Sequence, residues 1–277
     1  GIAMTAGVAG SFLDPYSPLR LMAVVLTVVS AALALTVLAV WGIECKVVKQ
    51  REPDPTPFVE GLREIWAERN ARNFTLFVFL SMNAYFMQEL ILEPFAGLVF
   101  EFTPGQSTKL SGVQNGGVFA GMLTVGIVAT GLKFGALRHW VVAGCVGSAV
   151  ALVAIAMAGV GSLAVPLFVL VVGLGFFNGM FAVAAIGSMM ALASEGRGKR
   201  EGTRMGLWGA AQAIAAGFGG LLGAAAVDVM RLSVADGPAF GVVFLGEAGL
   251  FLAAAFMALH VMKNERVRGD APLIVGE

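Results

Sequence analysis

The sequence has few charged residues, and long stretches contain none. Only 13% of its 277 residues are charged and 58% are hydrophobic, whereas a soluble domain has about 25% charged residues. No Asp, Glu, Lys or Arg occurs between Arg20 and Glu44, or between Arg138 and Glu195. About 20 apolar residues cross the roughly 30 Å hydrocarbon core of a bilayer, so these runs exclude a water-soluble fold and predict transmembrane helices.

The sequence also lacks the features of several functional classes. Its net charge of zero gives no electrostatic basis for binding nucleic acid. Its two cysteines are too few for a disulfide framework. No zinc spacing, phosphate-binding glycine loop, dinucleotide fingerprint or nucleophile elbow is present. We therefore expect no enzymatic activity and no firm metal site. The chain begins at Gly1 without a signal peptide, and we expect it to be a fragment or a processed product.

Seven segments with few or no charges are long enough to cross a membrane. They predict an all-α, polytopic transmembrane helix bundle, preceded in residues 1–12 by the remnant of an earlier span. The predicted spans are residues 20–44, 73–100, 110–132, 140–160, 164–192, 205–229 and 240–262.

Lys and Arg are unequally divided between the two sets of connections. All of them except Arg20, Lys109 and Arg231 belong to loops 45–72, 133–139 and 193–204 and the tail from Lys263. The positive-inside rule places such loops in the cytoplasm. The pattern therefore predicts an inner-membrane protein with a cytoplasmic C-terminus and with residues 11–19 outside.

The longest of these connections, residues 45–72, combines an extended segment with an amphipathic one. Proline at positions 53, 55 and 57 keeps each preceding residue out of the α region. Phe58, Leu62, Ile65 and Trp66 then recur at helical spacing between charged residues. We interpret this segment as a helix on the membrane surface, where tryptophan is common; a soluble linker helix is the alternative.

Small residues and intramembrane polar residues give the remaining structural signals. Pairs of glycines four residues apart, at 112/116, 117/121, 175/179 and 219/223, predict close helix packing, because lipid provides little hydrophobic drive between helices.

Polar side chains inside the predicted spans are the candidate functional residues. Gln88, Glu89 and Glu93 lie in span 73–100. A charge at the bilayer centre costs at least about 2.5–3.5 kcal/mol, so such residues usually face a cavity or a partner. The alternative is that this span lies nearer the outer surface, with Glu93 hydrated. The further candidates for a binding or core polar role are Asn115, Asn178, Gln212 and Glu247, of which the carboxyl group of Glu247 needs a partner or a proton.

Two stretches of sequence resemble a known family. They are residues 87–97 (MQELILEPFAG) and 202–213 (GTRMGLWGAAQA), and residues 5–7 and 13–17 also fit the family pattern. They resemble the bacteriochlorophyll-delivery family of PucC and LhaA proteins, a branch of the major facilitator superfamily in purple photosynthetic bacteria. The resemblance covers essentially the whole chain. It implies a fold of twelve spans, of which this chain has the sixth to the twelfth.

The resemblance also implies a domain division. Residues 1–44 correspond to the end of a first helical half, 45–72 to a cytoplasmic linker, 73–262 to a second six-helix bundle and 263–277 to a cytoplasmic tail. Residues 131–138 occupy the place of a facilitator motif of glycine, acid and arginine, but the acid is missing. This departure puts proton-coupled transport in doubt.

The function implied by the resemblance is the assembly of light-harvesting complexes. Such a protein delivers bacteriochlorophyll, antenna polypeptides or both to a growing ring in the intracytoplasmic (chromatophore) part of the inner membrane. The expected partners are light-harvesting antenna polypeptides, the reaction-centre antenna complex and the lipid bilayer, and the expected cofactor is bacteriochlorophyll.

The resemblance assigns roles to individual residues as well. Glu89, Glu93 and Gln212 belong to the matching stretches and are expected to organise packing or to coordinate pigment magnesium through oxygen. On general chemical grounds, His139 and His260 are also candidates, because histidine is a common ligand to the magnesium of chlorophyll-type pigments. They are weak candidates, since both are predicted near the cytoplasmic surface. The alternative function is a proton-coupled secondary transporter of a small solute that uses Glu89, Glu93 or Glu247 as a proton or cation site.

Overall fold

The computed structural model describes residues 12, 17–41, 63, 65–132, 134–194 and 201–262. All regular secondary structure in these ranges is helical, and seven helices are long and apolar enough to cross a membrane. The chain is thus an all-α, multi-pass membrane protein, as its charge-free runs predict. The helices are α1 (Pro18–Val40), α2 (Arg69–Phe100), α3 (Pro104–Val125, continued by a π-helical segment Gly126–Gly131), α4 (Leu137–Gly159), α5 (Leu167–Ser194), α6 (Glu201–Arg231) and α7 (Asp236–Val261).

Several predictions fall on residues outside those ranges. Residues 1–12, predicted as a helical remnant, lie outside the ranges except for residue 12. The tail 263–277 and the prolines of the 45–72 connection lie outside them entirely. From the amphipathic segment of that connection, the structure describes Ile65 as buried and Trp66 as 44% exposed.

Six of the seven helices begin earlier than their predicted spans, and α5 begins three residues later. α2 begins at Arg69 and α6 at Glu201, four residues before the predicted starts, because the charged residues that limit an apolar run are tolerated in the first turns of a helix. α3 begins at Pro104 instead of residue 110. The Thr103 hydroxyl accepts a hydrogen bond from the Gln106 backbone, and the Gln106 side chain accepts one from the Thr103 backbone. This capping box fixes the earlier start.

Helices α2 to α7 pack into a six-helix bundle. The closest pairs are α3 with α5, α2 with α6, and α4 with both α5 and α7. Consecutive helices are antiparallel, so α2, α4 and α6 begin at the same end, which we call the basic end because Arg69, Arg138 and Arg204 lie there. α1 differs from the others, since no residue in its most apolar window is buried within the described part of the chain.

Glycine allows α3 and α5 to approach backbone to backbone. A Cβ atom added at Gly121 would overlap the backbone oxygen of Phe176, and one added at Gly179 would overlap the backbone oxygen of Val118. Gly117 and Gly175 make similar approaches. The predicted packing of the 117/121 and 175/179 pairs is therefore confirmed.

The other two glycine pairs have different outcomes. An added Cβ at Gly219 would lie 2.8 Å from the Asn83 backbone oxygen, and one at Gly223 would lie 3.2 Å from the Met87 oxygen. This pair therefore packs α6 on α2, as predicted. The prediction for the 112/116 pair is wrong at Gly116, which has no atom of the described chain within 4 Å of an added Cβ. Spacing alone does not tell which side of α3 faces a neighbour.

Aromatic rings fill the centre of the bundle. Phe95 of α2 contacts Phe240 and Phe244 of α7, with ring centroids 5.5 and 5.0 Å apart. Phe181 of α5 lies 6.2 Å from Phe251 of α7 by the same measure. These contacts fix the relative levels of α2, α5 and α7.

Two polar contacts tie α6 to α2 near the basic end. The Arg204 Nη2 atom donates to both carboxylate oxygens of Glu68, the N-cap residue of α2, at 2.8 and 2.6 Å. One turn along α6, the indole Nε1 of Trp208 donates to the Thr75 hydroxyl at 3.1 Å. The Arg204 side chain is 7% exposed and that of Glu68 44%. Within the described residues, the mostly buried guanidinium is therefore charge-balanced by the Glu68 carboxylate.

We expect Gly121→Ala to destabilise the bundle by about 1–3 kcal/mol, because the added methyl group forces α3 away from α5. Thermal unfolding in mild detergent, followed by tryptophan fluorescence, measures the loss. Gly116→Ala on the same helix is the matched control and should be neutral or slightly stabilising. Equal losses in both variants would show that the α3–α5 contact is not close.

We expect Arg204→Ala to cost about 2 kcal/mol, because it removes a charge-assisted pair from a mostly buried position. The exposed pair Arg231–Asp236 at the other end, with an N–O distance of 2.7 Å, provides the control. Arg231→Ala should cost less than about 1 kcal/mol. The same unfolding assay compares the two, and an equal cost would contradict a structural role for Arg204.

Candidate functional site

A groove lies on the outer side of the bundle between α2 and α6. It has a volume of about 410 Å³, within the range of roughly 300–1,000 Å³ that is usual for small-molecule sites. The α2 wall is formed by residues at positions i, i+3 and i+4, which share one helix face. The lining residues are Phe86, Glu89 and Leu90 on α2, and Ala216, Gly217, Gly220 and Leu221 on α6.

The groove exists because α6 carries glycine where it faces α2. At Gly217 nothing of the described chain lies within 4 Å of an added Cβ, so this position is open space. At Gly220 an added Cβ would contact the Leu90 side chain at 3.2 Å. Side chains at these two positions would fill the groove from the α6 side.

Glu89 is the ionisable residue of the groove lining. Its side chain is exposed, and its neighbours along the groove are apolar. Tyr85, one turn earlier on α2, packs edge-on against Phe86 with ring centroids 5.3 Å apart. The groove thus combines an apolar surface with one carboxylate, which is the usual composition of a site that orients a largely apolar ligand.

Glu93 follows Glu89 by one helical turn but has a different environment. Its carboxylate accepts a hydrogen bond of 2.8 Å from the Ser111 hydroxyl on α3. The Asn115 amide donates to the Ser111 backbone oxygen at 2.9 Å. The Glu93–Ser111 hydrogen bond therefore links α2 to α3 outside the groove lining, whereas the Asn115 bond stays within α3.

A second group of predicted residues is buried in the bundle. Gln88, Asn178 and Glu247 have no exposed surface. Ser148 on α4 donates to the Asn178 Oδ1 atom at 2.7 Å. Both amide atoms of Gln88, the Asn178 Nδ2 atom and both oxygens of Glu247 have no hydrogen-bond partner in the described ranges. The bundle core therefore contains polar groups that its own side chains do not satisfy.

The remaining candidates lie apart from both groups. Gln212 is half-buried on α6, one turn beyond Trp208, and does not line the groove. His139 is exposed in the first turn of α4, which extends over a position predicted as loop. His260 is exposed near the end of α7, with its Nδ1 atom 2.8 Å from the Phe256 oxygen. A magnesium-binding role for either histidine stays a prediction.

The sequence did not indicate the apolar residues of the groove or two residues that hold α6 against α2. Arg204 and Trp208 lie in the second family-like stretch, yet only Gln212 was singled out there. An arginine and a tryptophan four residues apart, next to the start of a long apolar run, were the available signal. For Gly217 and Gly220 no signal was available, because their importance depends on which α6 face meets α2.

Glu89 is the side chain of the groove lining that carries oxygen atoms able to bind a metal. Within the residues that the structure describes, no three His, Cys, Asp or Glu side chains group together as a metal site. A single carboxylate such as Glu89 can supply one oxygen ligand to a metal that a cofactor already holds. Magnesium prefers such hard oxygen ligands.

Comparison with known proteins places this architecture in a family. A family model described as "PUCC protein" matches residues 1–266. The chain is 64% identical over its full length to the "Bacteriochlorophyll synthase 44.5 kDa chain" of Rhodobacter capsulatus, of which it covers 65%. It is 29% identical over 92% of its length to "Protein PucC" of Cereibacter sphaeroides and 30% identical over 95% to "Protein PucC" of Rhodobacter capsulatus, covering 56% and 58% of them. No solved structure matches.

Proposed function

Because the chain belongs to the PUCC protein family, we propose that it assists the assembly of bacterial light-harvesting complexes by holding bacteriochlorophyll in the α2–α6 groove and passing it to antenna polypeptides. The observation that carries the proposal is the apolar groove with the Glu89 carboxylate in its wall. The chain spans 65% or less of the curated relatives named above, so the proposal concerns the part of the activity that this bundle performs.

The groove residues fit a chlorophyll-type pigment. Glu89 would offer an oxygen ligand to the central magnesium, and Phe86, Leu90 and Leu221 would contact the apolar ring and tail. The bound pigment itself supplies light absorption. The protein would contribute an apolar surface and one polar anchor.

The proposed partners are antenna polypeptides, the reaction-centre antenna complex and the bilayer of the inner membrane. Exposed apolar side chains on α6, such as Phe218 and Leu222, continue from the groove and provide a surface for membrane-embedded polypeptides. The excess of Lys and Arg at the basic end supports an orientation with that end and the C-terminus in the cytoplasm.

We propose a binding role and not an enzymatic one. The first relative carries the word synthase in its name, but the groove pairs its carboxylate with apolar residues and offers no nucleophile with an adjacent base. Turnover of a pigment precursor by the purified protein would contradict this part of the proposal.

One observation favours a second candidate function, a proton-coupled transporter of a small solute. Glu247 is fully buried in a membrane-spanning helix, and such carboxylates often mark ion pathways. Uptake into vesicles that follows an imposed pH gradient would support this candidate, and no such uptake is expected if the protein only delivers pigment.

Filling the groove tests the proposed site directly. We expect Gly217→Phe to reduce the bacteriochlorophyll that copurifies with the protein from pigment-producing cells by at least about tenfold, because the ring occupies the open space beside Glu89. Gly209→Phe introduces the same ring two turns earlier on α6, also into open space. This control should retain its pigment. Equal pigment content in both variants, measured by absorbance per protein, would reject the groove.

Removing the anchor tests the role of the carboxylate. We expect Glu89→Gln to lower the pigment content by roughly tenfold or more, because a neutral amide is a weaker ligand for magnesium than a carboxylate. Glu101→Gln changes an exposed carboxylate at the end of α2 and should have no effect. If Glu89→Gln keeps its pigment while Gly217→Phe loses it, the groove binds by shape and Glu89 is not a ligand.

A further inference from the structure

Inside the bundle, away from the groove, four fully buried side chains of the described ranges carry unpartnered polar atoms, and three of them lie near one level. These three are Gln88 on α2, Asn178 on α5 and Glu247 on α7. We propose that the oxygen atoms of Gln88 and Glu247 bind one monovalent metal cation of the sodium type, with Asn178 beside it, and we call this place the core site. This site goes beyond the proposed pigment function, because none of its residues lines the groove.

One aromatic contact gives the positions of Asn178 and Glu247 along the bundle axis, which we call their levels. Phe181 and Phe251 lie against each other, with ring centroids 6.2 Å apart, and α5 and α7 run in the same direction. Asn178 precedes Phe181 by three residues and Glu247 precedes Phe251 by four. At 1.5 Å per residue, the two positions differ in level by only about 1.5 Å.

Gln88 of α2 lies within about one helical turn of the level of Glu247. Phe95 of α2 contacts Phe244 of α7, and these helices are antiparallel. Gln88 lies seven residues before Phe95, and Glu247 lies three residues after Phe244, so their levels agree to within about one helical turn. Seven residues are close to two full turns, so Gln88 shares the Phe95 face and points toward α7.

Ser148 on α4 lies at the same level as Asn178 and Glu247. Ser148 on α4 donates to the Asn178 Oδ1 atom, which fixes the amide and leaves the Nδ2 atom unpartnered. Gly159 of α4 packs against Gly237 of α7, and Ser148 lies eleven residues before Gly159 while Glu247 lies ten after Gly237. Because α4 and α7 are antiparallel, Ser148 lies at the level of Glu247.

Charge balance points to a monovalent cation. Among the buried residues of the described ranges, the acidic and basic ones are Arg204 and Glu247, and Arg204 is paired with Glu68 near the basic end. An isolated carboxylate is very costly in an apolar core, whereas one positive charge makes the site neutral. A divalent ion would leave an excess positive charge there.

The available ligands suit such an ion. Glu247 offers two free carboxylate oxygens and Gln88 one free amide oxygen, and hard cations prefer oxygen. Burying each of these atoms without a partner is unfavourable, and most of all for the charged carboxylate. A cation bound at this layer relieves several of those costs together, and water molecules can complete its coordination.

The core site can be tested by the effect of sodium on stability. Thermal unfolding of the purified protein in detergent is measured at increasing NaCl, with choline chloride keeping the ionic strength constant. We expect Tm to rise by about 3 °C for each tenfold increase in NaCl above the dissociation constant, because sodium binds only the folded state. Glu247→Gln should abolish this rise. Asp228→Asn, an exposed carboxylate on α6, should retain it.

Direct binding keeps the test independent of the variant's folding. Equilibrium binding of radioactive sodium to the wild-type protein should approach one ion per chain and should not be displaced by choline. Absent sodium binding, or a Tm that responds equally to sodium and choline, would overturn the core site and leave Glu247 as a protonated acid. Because Gly217→Phe does not touch this layer, loss of pigment without loss of sodium binding separates the groove from the core site.

Discussion

Close contact between glycine backbones is the constraint on which the rest of this structure depends. In a bilayer the surrounding lipid is as apolar as the side chains, so helices associate through packing and not through release of water. α3 and α5 meet at Gly121 and Gly179, and α6 meets α2 at Gly219 and Gly223. Larger residues at these positions would separate the helices and open the bundle.

Glycine has a second role on α6. On α6, Gly219 and Gly223 face the α2 backbone, while Gly217 and Gly220 leave space beside Phe86 and Leu90. The contact and the groove therefore arise from neighbouring glycines on adjacent faces of one helix. This arrangement places the Glu89 carboxylate next to an apolar surface, which supports the proposed pigment site.

The low charge content of the sequence was sufficient to predict the seven helices and their membrane setting. Helix starts were harder to predict. The charge of Lys109 ends the apolar run, although α3 begins before it, at the Thr103–Gln106 capping box. Which face of a helix meets a neighbour could not be predicted either. Gly116 follows the same spacing rule as Gly121 and yet faces open space. That distinction depends on the register of α3 against α5, which spacing within one helix does not contain.

The candidate site residues were also predicted only in part, because the residues were identified but their environments were not. Glu89, Glu93 and Glu247 were all identified as costly intramembrane carboxylates, and the structure gives each a different environment: a groove, a bond to Ser111 and a fully buried layer. The sequence shows that a carboxylate within a span needs a favourable environment, but only the packing of the helices shows which residues surround it.

The most direct measurement of the central claim is a density map of the protein purified with its pigment. The account predicts a macrocycle between α2 and α6, with its central magnesium within bonding distance of a Glu89 carboxylate oxygen. A map that shows the pigment bound elsewhere, with lipid filling the groove, would contradict it.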